Sequence, residues 1–273
     1  MKKIRKKVTA MALAAVLIQV WCNAQFHLED WQVPSARLPD AFDGFRITLL
    51  TDIHGAKFGE DSARLLEAVT LSKPDLIAIS GDIADRWSDL EILPPMLKGL
   101  SDIAPAVYVT GNHEWSCKDT EGMLKTIESC GVTVLRGDWY ALSKDGQSII
   151  IAGAEDPNGY ADQTTPAQLM EDIRAQIPED PYVVLLYHRN DEPEAVLPSA
   201  PDLVLSGHGH GGVVRLPVLG GLIGTDRTLL PRDCEGLYVT GRTTQAVSRG
   251  LAGVRVWNRP HLPTIVLRSV KNS

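Results

Sequence analysis

Residues 46–54 read RITLLTDIH, an apolar run that ends directly in an aspartate and a histidine. The same arrangement recurs four times, and the polar residues that close the five runs are Asp52 with His54, Asp82, Asn112 with His113, His188, and His208 with His210. Taken singly, each of these residues is most simply a turn residue, a helix cap or a packed side chain. Five clusters in this order instead predict one site, because ligands of open α/β sheets bind beyond the carboxyl ends of the strands.

The apolar runs predict strands alternating with helices. Several runs are apolar at every position, which is typical of strands buried on both faces. Predicted strands cover residues 46–50, 76–79, 107–109, 132–135, 148–152, 182–186 and 203–205, and predicted helices cover residues 61–71, 121–129 and 165–176. Glycine and proline become frequent beyond residue 207, so we expect irregular or β-rich loops there and a closing strand at residues 264–270. The predicted fold class is α/β with packed layers.

The chain length and its first residues indicate one domain behind a short leader. With 273 residues, 44% of them hydrophobic, the chain can bury one sizeable core. Five of the first seven residues are Lys or Arg, and residues 8–21 are apolar apart from Thr9 and Gln19. We predict that residues 1–24 are a signal peptide, cut before Gln25, or an N-terminal membrane anchor. Either way the body would be extracytoplasmic, membrane-anchored or secreted.

The body of the chain is acidic. Five of the 27 Lys and Arg side chains lie in the first seven residues, which leaves 22 against 34 acidic side chains and a net charge of −12 beyond residue 24. Such a body lacks the broad basic surface that nucleic acids require, so nucleic acid is excluded as a partner, and no protein partner is predicted. The four cysteines lack metal-finger spacing. Cys117 and Cys130 are either a disulfide pair in an exported domain or unpaired buried thiols.

The residue types in the five clusters suit divalent metal ions. Imidazole, carboxylate and amide oxygen bind Mn²⁺, Fe or Zn²⁺, and no thiolate is present in the set to demand a softer ion. Asp52 and His54 lie two residues apart in an extended segment, so both side chains can face one ion. Two divalent ions would make a cationic site inside an acidic protein, which is suited to a phosphate group.

The five clusters resemble the motifs of the calcineurin-like metallophosphoesterase superfamily. The matching residues are Asp52-Ile53-His54, Gly81-Asp82, Gly111-Asn112-His113-Glu114, His188 and Gly207-His208-Gly209-His210. This resemblance covers residues 45–212, and later segments such as residues 236–238 and 247–251 are similar to the bacterial YkuE/YaeI-like phosphodiesterase branch. It implies a four-layer αββα sandwich and a metallophosphoesterase domain at residues 45–273. Gly209 departs from the family pattern, which often has threonine there.

The resemblance also implies a role for each site residue. The first metal ion would be held by Asp52, His54 and His210, the second by Asn112, His188 and His208, with Asp82 bridging both. His113 lies next to a ligand but outside the ligand set, so it would act as the general acid that protonates the leaving alkoxide. Asp82 is the second residue to which a catalytic part is assigned, since either Asp82 or a nearby carboxylate would orient that acid.

Three further residues have two possible roles each. Glu114 either supports the metal ligands or is a surface acid. Arg189 and Tyr160 either contact the substrate or are ordinary solvated side chains.

The predicted function is a binuclear metal-dependent phosphoester hydrolase. It would act as a phosphodiesterase or phosphatase on small-molecule or lipid head-group esters, by attack of a metal-bound hydroxide, with membrane association through the N-terminal segment. A sugar-nucleotide pyrophosphohydrolase of the UDP-diacylglucosamine type is one alternative. A non-catalytic metal-binding scaffold is another, and the presence of His113 beside a full ligand set favours an enzyme over it.

Overall fold

The computed structural model describes residues 24–86, 90–216, 220–225, 227–253 and 255–270, together with Thr9, Leu13 and Val16. The predicted signal peptide or anchor therefore lies almost entirely outside the described residues, as does Cys22. Among the helices that are described, none combines the length and the apolar character needed to cross a bilayer.

The first of two large sheets holds the strands that carry the first three clusters. In spatial order it contains β1 (His27–Ser35), β14 (His261–Ser269), β2 (Arg46–Leu50), β3 (Leu76–Ser80), β4 (Ala106–Val109) and β5 (Val132–Val134). Strands β2 to β5 are parallel, whereas β14 runs antiparallel to β2. The carboxyl ends of β2, β3 and β4 therefore meet at one edge.

The second large sheet carries the remaining two clusters. In spatial order it contains β12 (Gly236–Thr240), β13 (Thr243–Val247), β9 (Leu203–Ser206), β8 (Val183–Leu186), β7 (Gln147–Gly153) and β6 (Asp138–Lys144). Its four central strands are parallel, and each edge strand is antiparallel to its neighbour. A separate two-stranded ribbon consists of β10 (Val214–Leu216) and β11 (Gly220–Ile223).

Helices cover the outer faces of both sheets. The α-helices are α1 (Ala63–Ser72), α2 (Leu93–Ile103), α3 (Thr120–Ser129), α4 (Pro166–Gln176) and α5 (Pro193–Val196). Helices α1 to α3 share one apolar core with the first sheet, and α4 and α5 share another with the second. A third core lies between the sheets.

The strands divide their side chains between these cores by simple alternation. Along β3, Leu76 and Ala78 enter the core between the sheets, while Ile77 and Ile79 face the helices. Burial on both faces explains why these strands are apolar at every position. The layers are helix, sheet, sheet and helix, so the predicted αββα sandwich is confirmed.

The predicted elements are confirmed with small shifts of their ends, and the predicted β-rich last third contains β10 to β14. Helix α2 was not predicted, because two prolines in its first turn conceal the helical spacing although prolines are tolerated there. Strands β1 and β6 were also not predicted. Strand β1 pairs with β14 along nine residues, so residues 27–35 belong to the first sheet.

Candidate metal centre

The loops after β2, β3, β4, β8 and β9 bring the five clusters together at one end of the sandwich. Side-chain contacts join the two sheets at this point. The Ser80 hydroxyl at the end of β3 donates to the carbonyl oxygen of Leu205 in β9 at 2.8 Å. Nδ1 of His188 lies 2.7 Å from the carbonyl oxygen of Ser80, so the second sheet contributes this ring to the loops of the first.

Several site residues have a backbone conformation that non-glycine residues rarely adopt. Positive φ angles occur at Asp52 (54°), His54 (47°), Asp82 (53°), His208 (68°) and His210 (51°). Each such residue costs roughly 1–3 kcal/mol unless its surroundings fix it, and strain of this kind concentrates at functional sites. Here the N–H groups of Ile53 and His54 both donate to the carbonyl oxygen of Asp82, at 2.7 and 2.9 Å. The two loops therefore hold each other in the strained form.

The first candidate ion position lies among Asp52, His54 and His210, whose ligand atoms lie within 4.8 Å of one another. Nε2 of His210 is 3.2 Å from Oδ1 of Asp52. The Nε2 atoms of His54 and His210 are 3.3 Å apart. Two ligands that each lie about 2.1 Å from one ion are separated by roughly 3.0–3.4 Å at octahedral or tetrahedral angles. These two spacings fit neighbouring ligands of a single divalent ion, whereas the third, 4.0 Å from Nε2 of His54 to Oδ1 of Asp52, is wider than that range.

The second candidate position lies among Asp82, His188 and His208, again within 4.8 Å. Nε2 of His188 is 3.2 Å from Oδ2 of Asp82. The same carboxylate oxygen lies 3.9 Å from Nε2 of His54, which belongs to the first group. Asp82 is therefore shared between the two groups, as a bridging ligand must be.

Two buried atoms at the site make no hydrogen bond of good geometry among the described residues. They are Oδ1 of Asn112 and Nε2 of His188, whose 3.2 Å contact with Oδ2 of Asp82 is an ion-pair contact. Buried polar atoms in native proteins are nearly always paired, and those that are not call for an ion, a water or a functional reason. Metal ligation would satisfy both atoms. The residues present therefore fit two divalent ions, with Asn112 as an oxygen ligand.

The electrostatics of the site also favour cations. Burial opposes ionisation of Asp52, but the charge of His210 and its hydrogen bond outweigh burial and keep the pKa of the carboxyl below its ordinary value. Asp82 follows the same pattern with His188, and its pKa is likewise lowered. Burial disfavours the charged form of His188, yet Asp82 prevails and raises the pKa of this ring. Two buried carboxylates thus attract positive charge.

Glu114 is a structural support of the site and not a surface acid. Its side chain is fully buried. One carboxylate oxygen accepts the N–H groups of Gly111 at 2.6 Å and Asp82 at 2.9 Å, and the other accepts that of Ala84 at 3.2 Å. Burial, with Asp82 nearby, raises the pKa of Glu114 to about 8. Glu114 therefore joins the loops after β3 and β4, which present Asp82 and Asn112.

The structure places the other three candidates in distinct settings. His113 lies at the site: its ring stands edge-on to that of His54 with centroids 4.7 Å apart, and its N–H donates to Oδ1 of Asp82 at 2.9 Å. Arg189 pairs with Asp156 at 2.8 Å, which gives it a structural partner. Tyr160 is exposed and packs edge-on against Trp115.

The segment after β13 packs against Asp52 and His210, two residues of the first ion position. No role was predicted for this segment from the sequence. The N–H of Ala252 donates to the carbonyl oxygen of Asp52 at 2.8 Å. Gly250 passes so close that a Cβ there would lie 2.5 Å from Cβ of Asp52. Asn258 donates to the carbonyl oxygen of His210 at 2.6 Å. In the sequence, only the similarity of residues 247–251 to the YkuE/YaeI-like branch pointed to this segment.

The three cysteines in the described part of the chain, Cys117, Cys130 and Cys234, are free thiols. Sγ of Cys117 donates to the carbonyl oxygen of His113, and Sγ of Cys130 to that of Pro94, each at 3.7 Å. Of the two possibilities for Cys117 and Cys130, the structure has the unpaired one.

Comparison with known proteins agrees with this geometry. The calcineurin-like phosphoesterase family profile matches residues 45–212. The uncharacterized metallophosphoesterase YkuE of Bacillus subtilis is 31% identical over 87% of this chain and 84% of its own. The phosphodiesterase YaeI of Escherichia coli is 28% identical, with 82% of each chain covered. A transmembrane protein with a metallophosphoesterase domain from Danio rerio is 29% identical over 97% of this chain and 63% of its own.

The predicted resemblance to the YkuE/YaeI-like branch is confirmed by these relatives. Because the family profile covers more than half of the chain, and the candidate ligand groups lie within the matched region, the chain belongs to the calcineurin-like phosphoesterase family and is a hydrolase of phosphoric ester bonds.

Proposed function

We propose that this enzyme hydrolyses phosphodiesters or phosphomonoesters of small molecules or lipid head groups at a centre of two divalent ions. The observation that carries the proposal is the buried Asp82 carboxylate, which is shared by two groups of histidine ligands. The name of the relative YaeI, a phosphodiesterase, supports diesters as substrates. Mn²⁺, Fe and Zn²⁺ all suit the mixed imidazole, carboxylate and amide set.

Each residue of this chain has a defined part in the proposed reaction. Asp52, His54 and His210 would hold one ion, Asn112, His188 and His208 the other, and Asp82 both. When bound, two such ions neutralise charge on the phosphoryl oxygens and acidify water. His113 would donate a proton to the leaving alkoxide. Its ring lies within ligand distance of His54 and Asp82, and the family resemblance leaves it outside the ligand set, free to carry that proton. Glu114 would hold the loops that carry Asp82 and Asn112 at a fixed distance from each other, because it accepts backbone N–H groups from both.

The test is metal analysis and activity after reconstitution. Wild-type enzyme should take up close to two Mn²⁺ or Zn²⁺ ions per chain and hydrolyse p-nitrophenyl phosphate, bis(p-nitrophenyl) phosphate or both. Asp82→Asn should lose binding at both positions, because it is the shared ligand, whereas His54→Ala should mainly lose one ion. The proposal fails if reconstituted enzyme holds no transition metal, or if Asp82→Asn matches the wild type in activity.

We also propose that the catalytic body lies outside the cytoplasmic membrane, secreted or held by residues 1–24. Five basic residues followed by an apolar run support this placement. Fractionation of cells that express the full chain, with protease added to intact spheroplasts, tests it. A protein that stays in the cytoplasm, resists the protease and keeps its first 24 residues would contradict the proposal.

A further inference from the structure

A cavity of about 380 Å³ opens beside His208. Its polar lining includes Asn190, Asp191, Thr225, Thr228 and Arg232, and its apolar lining includes Leu229 and Leu230. Because His208 lines this cavity and also belongs to the second ligand group, the cavity adjoins the candidate metal centre. The cavity is large enough for several non-hydrogen atoms beyond a phosphoryl group.

Asn190 is the most informative residue of the lining. It is only 7% exposed, and its Nδ2 donates to the carbonyl oxygen of Asp233 at 2.8 Å. That bond fixes the orientation of the amide, so Oδ1 is the remaining acceptor. Oδ1 has no hydrogen-bond partner among the described residues. A buried acceptor without a partner is costly, and it selects for a ligand that brings a hydrogen-bond donor.

Asp191 adds a second acceptor to the same cavity. Its Oδ2 lies 3.5 Å from Nε2 of His208, and its side chain is 55% exposed. A carboxylate repels an anionic phosphoryl group, so the phosphoryl group belongs at the metal ligands and a neutral part of the substrate belongs here. Arg232 in the same lining opposes a cationic ligand such as an ammonium group. The lining therefore suits a neutral group with hydroxyl donors.

A phosphodiester has two alcohol groups, and the position of His113 indicates which of them lies in the cavity. His113 contacts His54, whereas His208 contacts His188, with ring centroids 5.2 Å apart. The alcohol that leaves must lie beside His113 to receive its proton. The alcohol that remains esterified is then the one free to lie beside His208.

We infer that the cavity binds the retained alcohol of a phosphodiester and that Asn190 and Asp191 select an alcohol that carries hydroxyl groups, as a glyceryl ester does. This inference rests on the proposed hydrolase function and narrows its substrate class. Neither residue was singled out from the sequence, although both follow His188 within three positions.

The experiment compares two diesters with the same leaving group, p-nitrophenyl glyceryl phosphate and p-nitrophenyl propyl phosphate. They differ only in the two hydroxyl groups of the retained alcohol. Because the 2-hydroxyl of the glyceryl ester can also expel nitrophenolate by closing a cyclic phosphate, ³¹P NMR of the products separates hydrolysis to glyceryl phosphate from this internal reaction, and only hydrolysis is counted. Reconstituted wild-type enzyme should prefer the glyceryl ester by about tenfold or more in kcat/KM, because the propyl ester leaves the buried Oδ1 of Asn190 unpaired and offers Asp191 no donor. Asn190→Leu and Asp191→Ala should each bring this ratio toward one. Glu194→Ala, which removes an exposed carboxylate that does not line the cavity, should leave the ratio unchanged.

The possible outcomes separate the two claims. If neither aryl ester nor bis(p-nitrophenyl) phosphate is hydrolysed, the proposed function fails. If both diesters are hydrolysed at equal kcat/KM, or if the preference survives in both variants, the function stands and the inference about the cavity is overturned. Asp191→Ala changes an exposed residue, so this arm remains informative even if Asn190→Leu fails to fold.

Discussion

His113 is close to the ligand groups, and its backbone is fixed by the N–H that it donates to Asp82. We predict that His113→Ala retains its metal ions but loses roughly 10²–10⁴-fold in turnover on alkyl esters, the usual contribution of a positioned general acid. Aryl esters with acidic phenol leaving groups need little protonation and should lose much less. Steady-state rates on the two ester classes, with metal analysis, provide the measurement. Equal losses on both classes would indicate damaged metal geometry.

Glu114 accepts three backbone N–H groups in a fully buried position. We predict that Glu114→Ala lowers the free energy of unfolding by at least about 2 kcal/mol, because each buried donor left unpaired costs about 1–3 kcal/mol. Denaturant unfolding measures the change. Glu128→Ala, an exposed glutamate in α3, should stay within about 0.5 kcal/mol of the wild type. If both variants were equally stable, Glu114 would not hold the loops together.

At the scale of elements, the segment between β13 and β14 passes so close to Asp52 that position 250 has no room for a side chain. Gly250 has φ +69° and would place a Cβ 2.5 Å from Cβ of Asp52, whereas Gly241, in the turn between β12 and β13, has φ +61° and open space around its Cβ position. Both glycines share the backbone strain that alanine would suffer, of about 1 kcal/mol. Only Gly250 adds a steric clash.

We therefore predict that Gly250→Ala lowers the melting temperature more than Gly241→Ala and also lowers the metal content, because Asp52 must move. Thermal unfolding and metal analysis of the two variants distinguish the effect of backbone strain, which both share, from the effect of the steric clash, which only Gly250→Ala has. Similar melting temperatures and full metal content in both would show that this segment does not position Asp52.

The elements differ in how far local sequence could predict them. Strands β2, β3, β4, β8 and β9 are buried on both faces, so their composition alone identified them. Strand β1 alternates exposed and less exposed positions, but its residue types do not follow that alternation, since Leu28 is exposed while His27 and Glu29 face inward. Its pairing partner β14 lies more than 200 residues away in the chain. Such pairing leaves little trace in local sequence, which is why β1 was not predicted.

At the scale of the whole molecule, charged side chains tie the two sheets together away from the site. Arg37, which follows β1, and Arg242, in the turn after β12, both pair with Asp180, at 2.9 and 3.0 Å. The hydrogen bond from Arg242 holds the pKa of Asp180 below its ordinary value. A lowered carboxyl pKa stabilises the fold above about pH 4, and this contribution is lost as the pH falls through the folded-state value.

We predict that Asp180→Asn is slightly less stable than the wild type at pH 7 and that this difference shrinks as the pH falls below about 4, toward the lowered pKa of Asp180. The effect should be small, because the Asp180 side chain is 47% exposed and solvent screens the pairs. Urea unfolding at several pH values measures it, with Asp172→Asn in α4 as a control for loss of an exposed carboxylate. A difference that persisted unchanged at pH 3 would exclude this ionic contribution.

The sequence by itself determined the layered α/β class, the central strands and the residues that the five loops bring together. These features depend on short-range patterns, namely apolar runs and the polar residues that close them. The tertiary structure alone decided the burial of Glu114, the approach of Gly250 to Asp52 and the cavity formed by Asn190 and Asp191. Each of these depends on contacts between segments far apart in the chain, and a side chain's burial and partners follow from packing that no local pattern records.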